Sequence, residues 1–251
     1  MNNLRLRWST FAAPSRFYRL AGKLVPWFWI AAILLSLAGL YVGFAIAPTD
    51  FQQGDAYRII FIHVPAAWMS MLIYVVLAFW AAWGWMFNAR LASMYARALA
   101  PTGAMFTFIA LWTGALWGKP TWGTWWVWDA RLTSEFILLL LYLGYIALTE
   151  AIDDPRRSAN AGALLALVGV VNVPVIYFSV IWWNTLHQGA TISMTTAPKM
   201  ATTMLTSMLL LTLAFWAYSF AVVFTRTRAI VLEQEADTEW VRVLATGAKG
   251  T

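Results

Sequence analysis

Six long runs of apolar residues divide this chain, and they constrain its fold more than any other feature of the sequence. A stretch of about 18 or more apolar residues is long enough to cross a lipid bilayer as a helix. Such segments become helices because the hydrocarbon offers no partner to unpaired backbone groups. The sequence therefore predicts an all-α membrane protein with six transmembrane helices, near residues 26–47, 65–87, 99–117, 132–150, 162–183 and 200–224.

The composition agrees with this class, since 61% of the residues are hydrophobic and only 11% are charged. Soluble domains carry about 25% charged residues. No polar segment is long enough to bury a core of its own, so we expect residues 1–251 to form a single integral membrane domain. The absence of cysteine excludes disulfides, thiolate metal sites and covalent attachment of a c-type haem.

The distribution of basic residues predicts the orientation of the spans. If the N-terminal tail is cytoplasmic, the segments on that side hold thirteen of the 17 Lys and Arg residues, and the opposite segments hold four. An excess of this kind marks the cytoplasmic side of a membrane protein. We therefore expect both termini in the cytoplasm and three loops on the outer face. The net charge of +6 then reflects topology and not a surface for nucleic acid.

The outer loop between the third and fourth spans is rich in tryptophan. It reads WGKPTWGTWWVWDAR over residues 117–131. Gly118, Pro120 and Gly123 predict a loop rather than a helix, because proline removes a backbone donor and glycine lowers helix stability. The loop contains five of the chain's 17 tryptophans, namely Trp117, Trp122, Trp125, Trp126 and Trp128.

Indole rings prefer the interface between membrane and water, so anchoring is the simpler interpretation for any one of these tryptophans. A cluster this dense, followed by Asp129 and Arg131, is more than anchoring requires. It can also form a flat aromatic surface for a large planar ligand.

The chain has two histidines, His63 and His187, and the predicted topology places both on the outer face beside the tryptophan-rich loop. A lone interfacial histidine is usually a hydrogen-bonded structural residue, but two that flank one loop favour a shared role. Zinc sites normally use three or four protein ligands, and a mixed site with Asp129 or Glu135 stays open. Haem iron needs only two axial ligands, and imidazole is a common one. Arg131 is one of four outer cations available to the propionates of a haem.

Asp129 and Arg131 stand at the predicted start of the fourth span. Aspartate is a good N-cap, whereas a cation in the first turn opposes the helix dipole. Glu135, one turn later, is a candidate partner for Arg131. The alternative is that Arg131 faces an external anion, and the sequence leaves both interpretations open.

Three segments are similar to a known family. WGKPTWGTWWVWDARLTS resembles the tryptophan-rich WWD signature of haem-handling membrane proteins, and FIHVPAAW and WWNTLHQGATI resemble the histidine segments that flank it. With six spans and 251 residues, the chain resembles the CcmC family over residues 20–225. Larger proteins with the same signature have more spans and additional histidines.

The resemblance implies a carrier with no enzymatic activity. Such proteins hold haem b non-covalently, as cargo, at the outer face of the bacterial inner membrane and present it to the haem chaperone CcmE during cytochrome c maturation. Their partners are CcmD, the ABC-type subunits CcmA and CcmB, and membrane lipid, with no nucleic acid. By this resemblance His63 and His187 would be the axial ligands of the haem iron. The segment from Trp117 to Asp129, with Arg131, would meet the haem edge.

Two other functions stay open from the residues alone. A permease subunit for a small solute usually carries polar or ionisable groups at mid-membrane, whereas these spans are almost free of charge. An enzyme would need an acid–base set, for which Asp129, Glu135 and the two histidines are candidates, but nothing in the sequence indicates a reaction.

Overall fold

The computed structural model describes residues 13–183, 185–187 and 200–246, and it contains six helical stretches long and apolar enough to cross a membrane. The predicted class is thereby confirmed. In chain order the helices are α1 Pro14–Tyr41, α2 Ile60–Phe87, α3 Arg90–Trp122, α4 Ala130–Glu150, α5 Pro155–Gly169, α6 Asn172–Trp182, α7 Thr202–Gln234 and α8 Glu239–Thr246. A π-helical turn, Val42–Ile46, follows α1, and a 3-10 turn, Asp55–Ile59, precedes α2.

Most helices extend beyond the apolar runs that predict them. α1 begins at Pro14, where the fixed φ of proline suits a first helical turn, and α7 continues to Gln234, past the last apolar residues. An apolar run marks only the part of a helix that lies in hydrocarbon, so it underestimates the length of a helix with polar ends. The third outer loop, predicted from about residue 184, falls mostly outside the described residues, which retain 185–187 there.

Small residues let the central helices approach closely. Alanines of α2 and α3 are buried where the two helices pack along their length. Between α3 and α4 a Cβ atom at Gly103 would lie 2.1 Å from the ring of Tyr142, so this contact requires glycine. Helices in membranes associate largely through such close packing, because lipid tails are as apolar as the side chains they replace.

The fifth span is broken into α5 and α6 at residues 170–171. The side chain of Asn172 donates a hydrogen bond of 2.9 Å to the carbonyl of Ser134 on α4. The guanidinium of Arg131, also on α4, donates a bond of 2.7 Å to the carbonyl of Ile176 on α6. The broken span is therefore tied to the first turns of α4 by two polar contacts.

The connections gather at two ends of the bundle. At one end the side chain of Arg156 donates to Asn88 over 3.2 Å, which brings the start of α5 to the end of α2. At the other end the indole of Trp117 donates to the side chain of Gln53 over 2.7 Å, which joins α3 to the loop before α2. We call this second end the histidine end, because His63 and His187 both lie there.

Candidate functional site

Helix α3 continues into the tryptophan-rich segment. It passes through Gly118 and Pro120 and ends after Trp122, where Gly123 adopts a left-handed φ of 77°. The prediction that a loop begins at Trp117 is therefore wrong. Trp117 and Trp122 lie on a helix, and only Trp125, Trp126 and Trp128 belong to the connection over 123–129.

Local contacts accompany the glycine and the proline inside the helix. Pro120 lacks the N–H that would bind the carbonyl of residue 116, as a proline does anywhere past the first turn, and two more helical residues follow it. The hydroxyl of Thr121 donates to the carbonyl of Trp117 over 2.7 Å and binds a helical carbonyl beside the proline. Gly118 eases a close approach, since a Cβ atom there would lie 3.1 Å from the carbonyl oxygen of Thr124 as the chain folds back.

His63 lies inside α2 rather than just before the span. The 3-10 turn from Asp55 runs directly into the helix, so the histidine occupies its first turn and is 7% exposed. Its Nδ1 atom is 3.0 Å from the hydroxyl oxygen of Thr113 on α3. The indole of Trp117 meets the imidazole edge-on, with ring centroids 5.7 Å apart.

His187 lies beside His63, although it follows 124 residues later in the chain. The centroids of its ring and that of His63 are 6.1 Å apart, and the two ring planes differ by 26°. Trp122 contacts the His187 ring with centroids 5.7 Å apart. The expectation that the two histidines share one face of the molecule is met in this structure.

A short hydrogen-bond chain holds the His187 segment to the start of α4. The backbone N–H of His187 donates to the hydroxyl oxygen of Thr185 over 3.1 Å, and that hydroxyl donates to Oδ2 of Asp129. The other carboxylate oxygen, Oδ1, accepts the N–H of Leu132 over 2.8 Å. Asp129 is thus the N-cap of α4, as its position predicts.

The spacing of the two imidazoles suits a pair of ligands on opposite sides of one metal ion. At about 2 Å for each metal–nitrogen bond, two such rings have centroids roughly 6 Å apart. Within the described residues, no group of three or more His, Asp or Glu side chains is placed to hold a metal ion. The mixed site with Asp129 or Glu135 therefore does not form there, whereas a ligand that brings its own equatorial donors needs only two imidazoles.

Two small cavities, each of about 40 Å³, adjoin the histidine pair. Pockets for drug-sized molecules measure about 300–1,000 Å³, so a porphyrin enters this site only if side chains move apart. Both cavities are lined by His63, His187, Trp122 and Gly114. The first is completed mainly by Ala67, Trp126, Arg131 and Glu135, and the second by Gln53, Trp117 and Thr121.

Arg131 and Glu135 form no ion pair among the salt bridges of the described residues. Arg131 donates instead to the carbonyl of Ile176. Glu135 is 6% exposed and accepts a bond of 2.7 Å from the hydroxyl of Ser70, while its Oε2 has no hydrogen-bond partner within the described part of the chain. Arg131 therefore does not pair with Glu135 in this structure. Both side chains line the cavity beside the histidines.

The five tryptophans of the predicted loop form two groups according to whether they line the cavities. Trp117, Trp122 and Trp126 line the cavities at the histidine pair. Trp125 and Trp128 are 54% and 75% exposed and line neither cavity. The indole N–H of Trp126 is buried and, within the described residues, has no hydrogen-bond partner.

Four further residues hold this site in place, and no pattern in the sequence marks them: Gln53, Ser70, Thr113 and Thr185. Each contacts a partner far away along the chain; Thr113 is 50 residues from His63. Ser70 and Thr113 lie inside helices and Gln53 and Thr185 lie between helices. Single polar residues of this kind carry no spacing signal, so these pairings appear only when the helices are packed.

Comparison with known proteins finds a family model and several relatives that match most of the chain. The sequence model of the family described as CcmC, Heme exporter protein C, matches residues 7–242. The protein named Heme exporter protein C from Escherichia coli (strain K12) is 46% identical over 241 residues, which cover 94% of this chain and 97% of the relative. Proteins with the same name are 44% identical over 239 residues in Haemophilus influenzae (95% of this chain, 97% of the relative) and 45% identical over 233 residues in Bradyrhizobium diazoefficiens (93% and 86%).

Proposed function

The chain belongs to the heme exporter protein C family, and from this membership we propose that it binds haem between His63 and His187 and presents it to the haem chaperone CcmE. The cargo is haem b, held without a covalent bond. The protein works with CcmD and the ABC-type subunits CcmA and CcmB in cytochrome c maturation. Its role is to hold and transfer haem, and it catalyses no reaction of its own.

The observation that carries this proposal is the pairing of the two imidazoles. They are the only histidines of the chain, they lie 124 positions apart, and their ring centroids are 6.1 Å apart. Neutral imidazole is a common axial donor to haem iron, and the porphyrin supplies the other four ligands. Three indoles beside the pair provide aromatic surface for the macrocycle.

Arg131 is the cation that would meet anionic groups of a ligand. It lines the cavity together with Glu135, whereas Arg58 lies in the turn that leads into α2 and pairs with Asp55. Haem propionates are carboxylates, which guanidinium groups bind through charge-assisted hydrogen bonds.

A carrier also has to expose part of its cargo, since a chaperone must reach it. Trp125 and Trp128 stand exposed on the connection whose neighbour Trp126 lines the cavity. An arrangement of this kind leaves apolar surface next to the site for the partner to contact. The two exposed tryptophans are therefore our candidates for the surface that CcmE meets.

The test is the visible spectrum of the purified protein in mild detergent, oxidised and reduced, with and without added haemin. We expect a six-coordinate, bis-imidazole spectrum in the wild-type protein. In His63→Ala and in His187→Ala the spectrum should show that one axial ligand is lost, and the double variant should not ligate haem tightly. The tag used for purification should contain no histidine. A protein that stays colourless and does not bind haemin would instead favour the permease alternative.

A further inference from the structure

The hydroxyl group of Thr113, which contacts His63, is restricted in the hydrogen bonds that it can make. The hydroxyl of Thr113 is 2.6 Å from the carbonyl oxygen of Ile109, one turn earlier in α3, and 3.0 Å from Nδ1 of His63. A threonine hydroxyl has one proton to donate and two lone pairs that accept. Two oxygens at 2.6 Å without a proton between them would repel each other, so the proton of Thr113 points to Ile109.

It follows that the hydroxyl of Thr113 can only accept from His63, as can the backbone carbonyl of Ala110, which lies 3.3 Å from that hydroxyl and also contacts the imidazole. The imidazole must then carry its proton on Nδ1, since in a neutral ring one nitrogen donates and the other accepts. Nε2 is left without a proton and with a free lone pair, which is the form in which a nitrogen binds a metal ion.

The packing of the ring agrees with this arrangement. A Cβ atom placed at Gly114 would lie 3.1 Å from Cε1 and 3.7 Å from Nδ1 of His63, while Nε2 is not among the atoms within 4 Å. Helix α3 therefore faces the Nδ1 side of the imidazole, and glycine at 114 gives the ring room to lie close to the helix. Nε2 is more than 4 Å from that position.

We propose that Thr113 is a positioning residue for the haem site: it fixes the Nδ1–H tautomer of His63 and so presents Nε2 to the iron. This inference rests on the proposed function for its consequence in the loaded protein, but the tautomer itself exists without haem. A hydroxyl is a neutral acceptor, weaker than a carboxylate, so the imidazole stays a moderate donor to the metal. A ligand of that strength suits a protein that must give its haem away.

The first experiment needs no haem. In a His187→Ala background His63 is the sole histidine, so the nitrogen-15 NMR signals of selectively labelled histidine need no further assignment. We expect Nδ1 protonated and Nε2 unprotonated, a mixture of tautomers after Thr113→Val, and the original tautomer after Thr113→Ser. Protonation on Nε2 in the parent, or no change in Thr113→Val, would overturn the proposal.

A matched control is available on the same helix. Thr107 is buried and donates its hydroxyl to the carbonyl of Gly103 over 2.8 Å, so Thr107→Val removes the same kind of backbone bond without touching the site. Both valine variants should lose a similar, small amount of thermal stability. Only Thr113→Val should change the tautomer of His63.

The second experiment uses the full chain with both histidines and added haemin. Replacing a residue that hydrogen-bonds to a metal ligand typically changes metal affinity about 10- to 100-fold, so Thr113→Val should retain haem roughly 10-fold less well. The midpoint potential of haem bound to Thr113→Val should rise, because a less electron-donating imidazole stabilises ferric iron less. Thr113→Ser and Thr107→Val should match the wild type in both measurements.

Haem binding by His63 and the role of Thr113 are contradicted by different results. If His63→Ala leaves the haem spectrum unchanged, the proposed function is wrong, although the NMR result on the tautomer stands. If His63→Ala removes a ligand but Thr113→Val changes neither the tautomer, the retention nor the potential, the role of Thr113 is wrong and the proposed function stands.

Discussion

Asp129 uses its two carboxylate oxygens for two separate tasks. One caps α4 by accepting the N–H of Leu132, and the other accepts from Thr185, which in turn holds the backbone N–H of His187. The resemblance places Asp129 at the haem edge. The structure instead gives it contacts through which it would act on haem indirectly, by holding the second histidine in place.

This division of tasks predicts different effects of two cap mutations. Asp129→Ala and Asp154→Ala each remove an N-cap, worth about 1 kcal/mol of stability, because Asp154 caps α5 in the same way. Thermal unfolding in detergent should show the loss of a cap in both, with a further loss in Asp129→Ala from its bond to Thr185. Haem retention should fall only in Asp129→Ala, and Thr185→Val should reproduce that fall without the loss of a cap.

Equal haem retention in Asp129→Ala and Asp154→Ala would contradict the positioning role. The comparison works because Asp154 accepts the N–H of Arg157 over 2.7 Å at the end of the bundle opposite the histidines. Any effect that both variants share then belongs to helix stability and not to the site.

The tryptophans offer a second prediction at the scale of single residues. Trp122 contacts His187 and lines both cavities, so Trp122→Ala should lower haem affinity. Loss of one packed indole costs on the order of 1–3 kcal/mol, roughly a 5- to 150-fold weaker binding. The spectrum of the haem that remains should still be bis-imidazole, as measured by haemin titration.

The exposed Trp125 serves as the comparison for Trp122. Because its indole is half exposed and lines neither cavity, Trp125→Ala should retain haem at wild-type levels and reduce transfer to CcmE in a reconstituted assay. If both variants retained and transferred haem normally, the indoles would serve only as interface anchors.

At the scale of elements, the glycines and the proline of the tryptophan-rich segment show that helix propensity alone does not locate the end of α3. Each of the three positions 118, 120 and 123 disfavours a helix interior on average, but only Gly123 ends α3. Gly118 serves a close contact, and α3 continues for two residues after Pro120 although the proline lacks one helical donor. Propensity cannot separate these cases, because the difference depends on where the chain goes afterwards.

The end of α3 yields a prediction of its own. Gly123 has a φ of 77°, and a Cβ atom there would meet nothing within 4 Å, so substitution is opposed by backbone strain alone. Gly123→Ala should destabilise the protein by about 1–2 kcal/mol, whereas Gly123→Asn should be tolerated better, since asparagine enters this region more readily. Thermal unfolding of the two variants side by side tests the difference.

A drop in stability that is the same for alanine and asparagine at position 123 would show that strain is not the cause. Haem retention should follow the same order as stability, because Gly123 sets the direction in which the chain leaves Trp122 towards Trp126.

For the whole molecule, the sequence was sufficient to predict the class, the six spans and the end at which both histidines lie. These follow from average hydrophobicity and from charge counted over loops, which depend little on how helices are rotated. The contacts of His63 with Thr113 and of Thr185 with Asp129 depend on the rotation and depth of separate helices. They arise from packing between distant segments, which no local pattern in the sequence encodes.

The pairing of the histidines is a property of the bundle and does not depend on which way the bundle faces. Orientation rests on the charge asymmetry of thirteen to four, which predicts that the histidine end faces the periplasm. Reporter fusions after Gln53, Thr124 and Gln188 should therefore score external, and fusions after Asn88 and Asp154 internal.

The possible failures of this last prediction have distinct meanings. If all five fusions scored in reverse, the site would remain assembled but would open to the cytoplasm, and presentation to a chaperone at the outer face would be excluded. If only one were reversed, the bundle itself would be contradicted, because Gln53 contacts Trp117 and His187 contacts Trp122, which requires these segments to lie on one side. The expected pattern of three external and two internal fusions is the one that satisfies both the contacts and the charges.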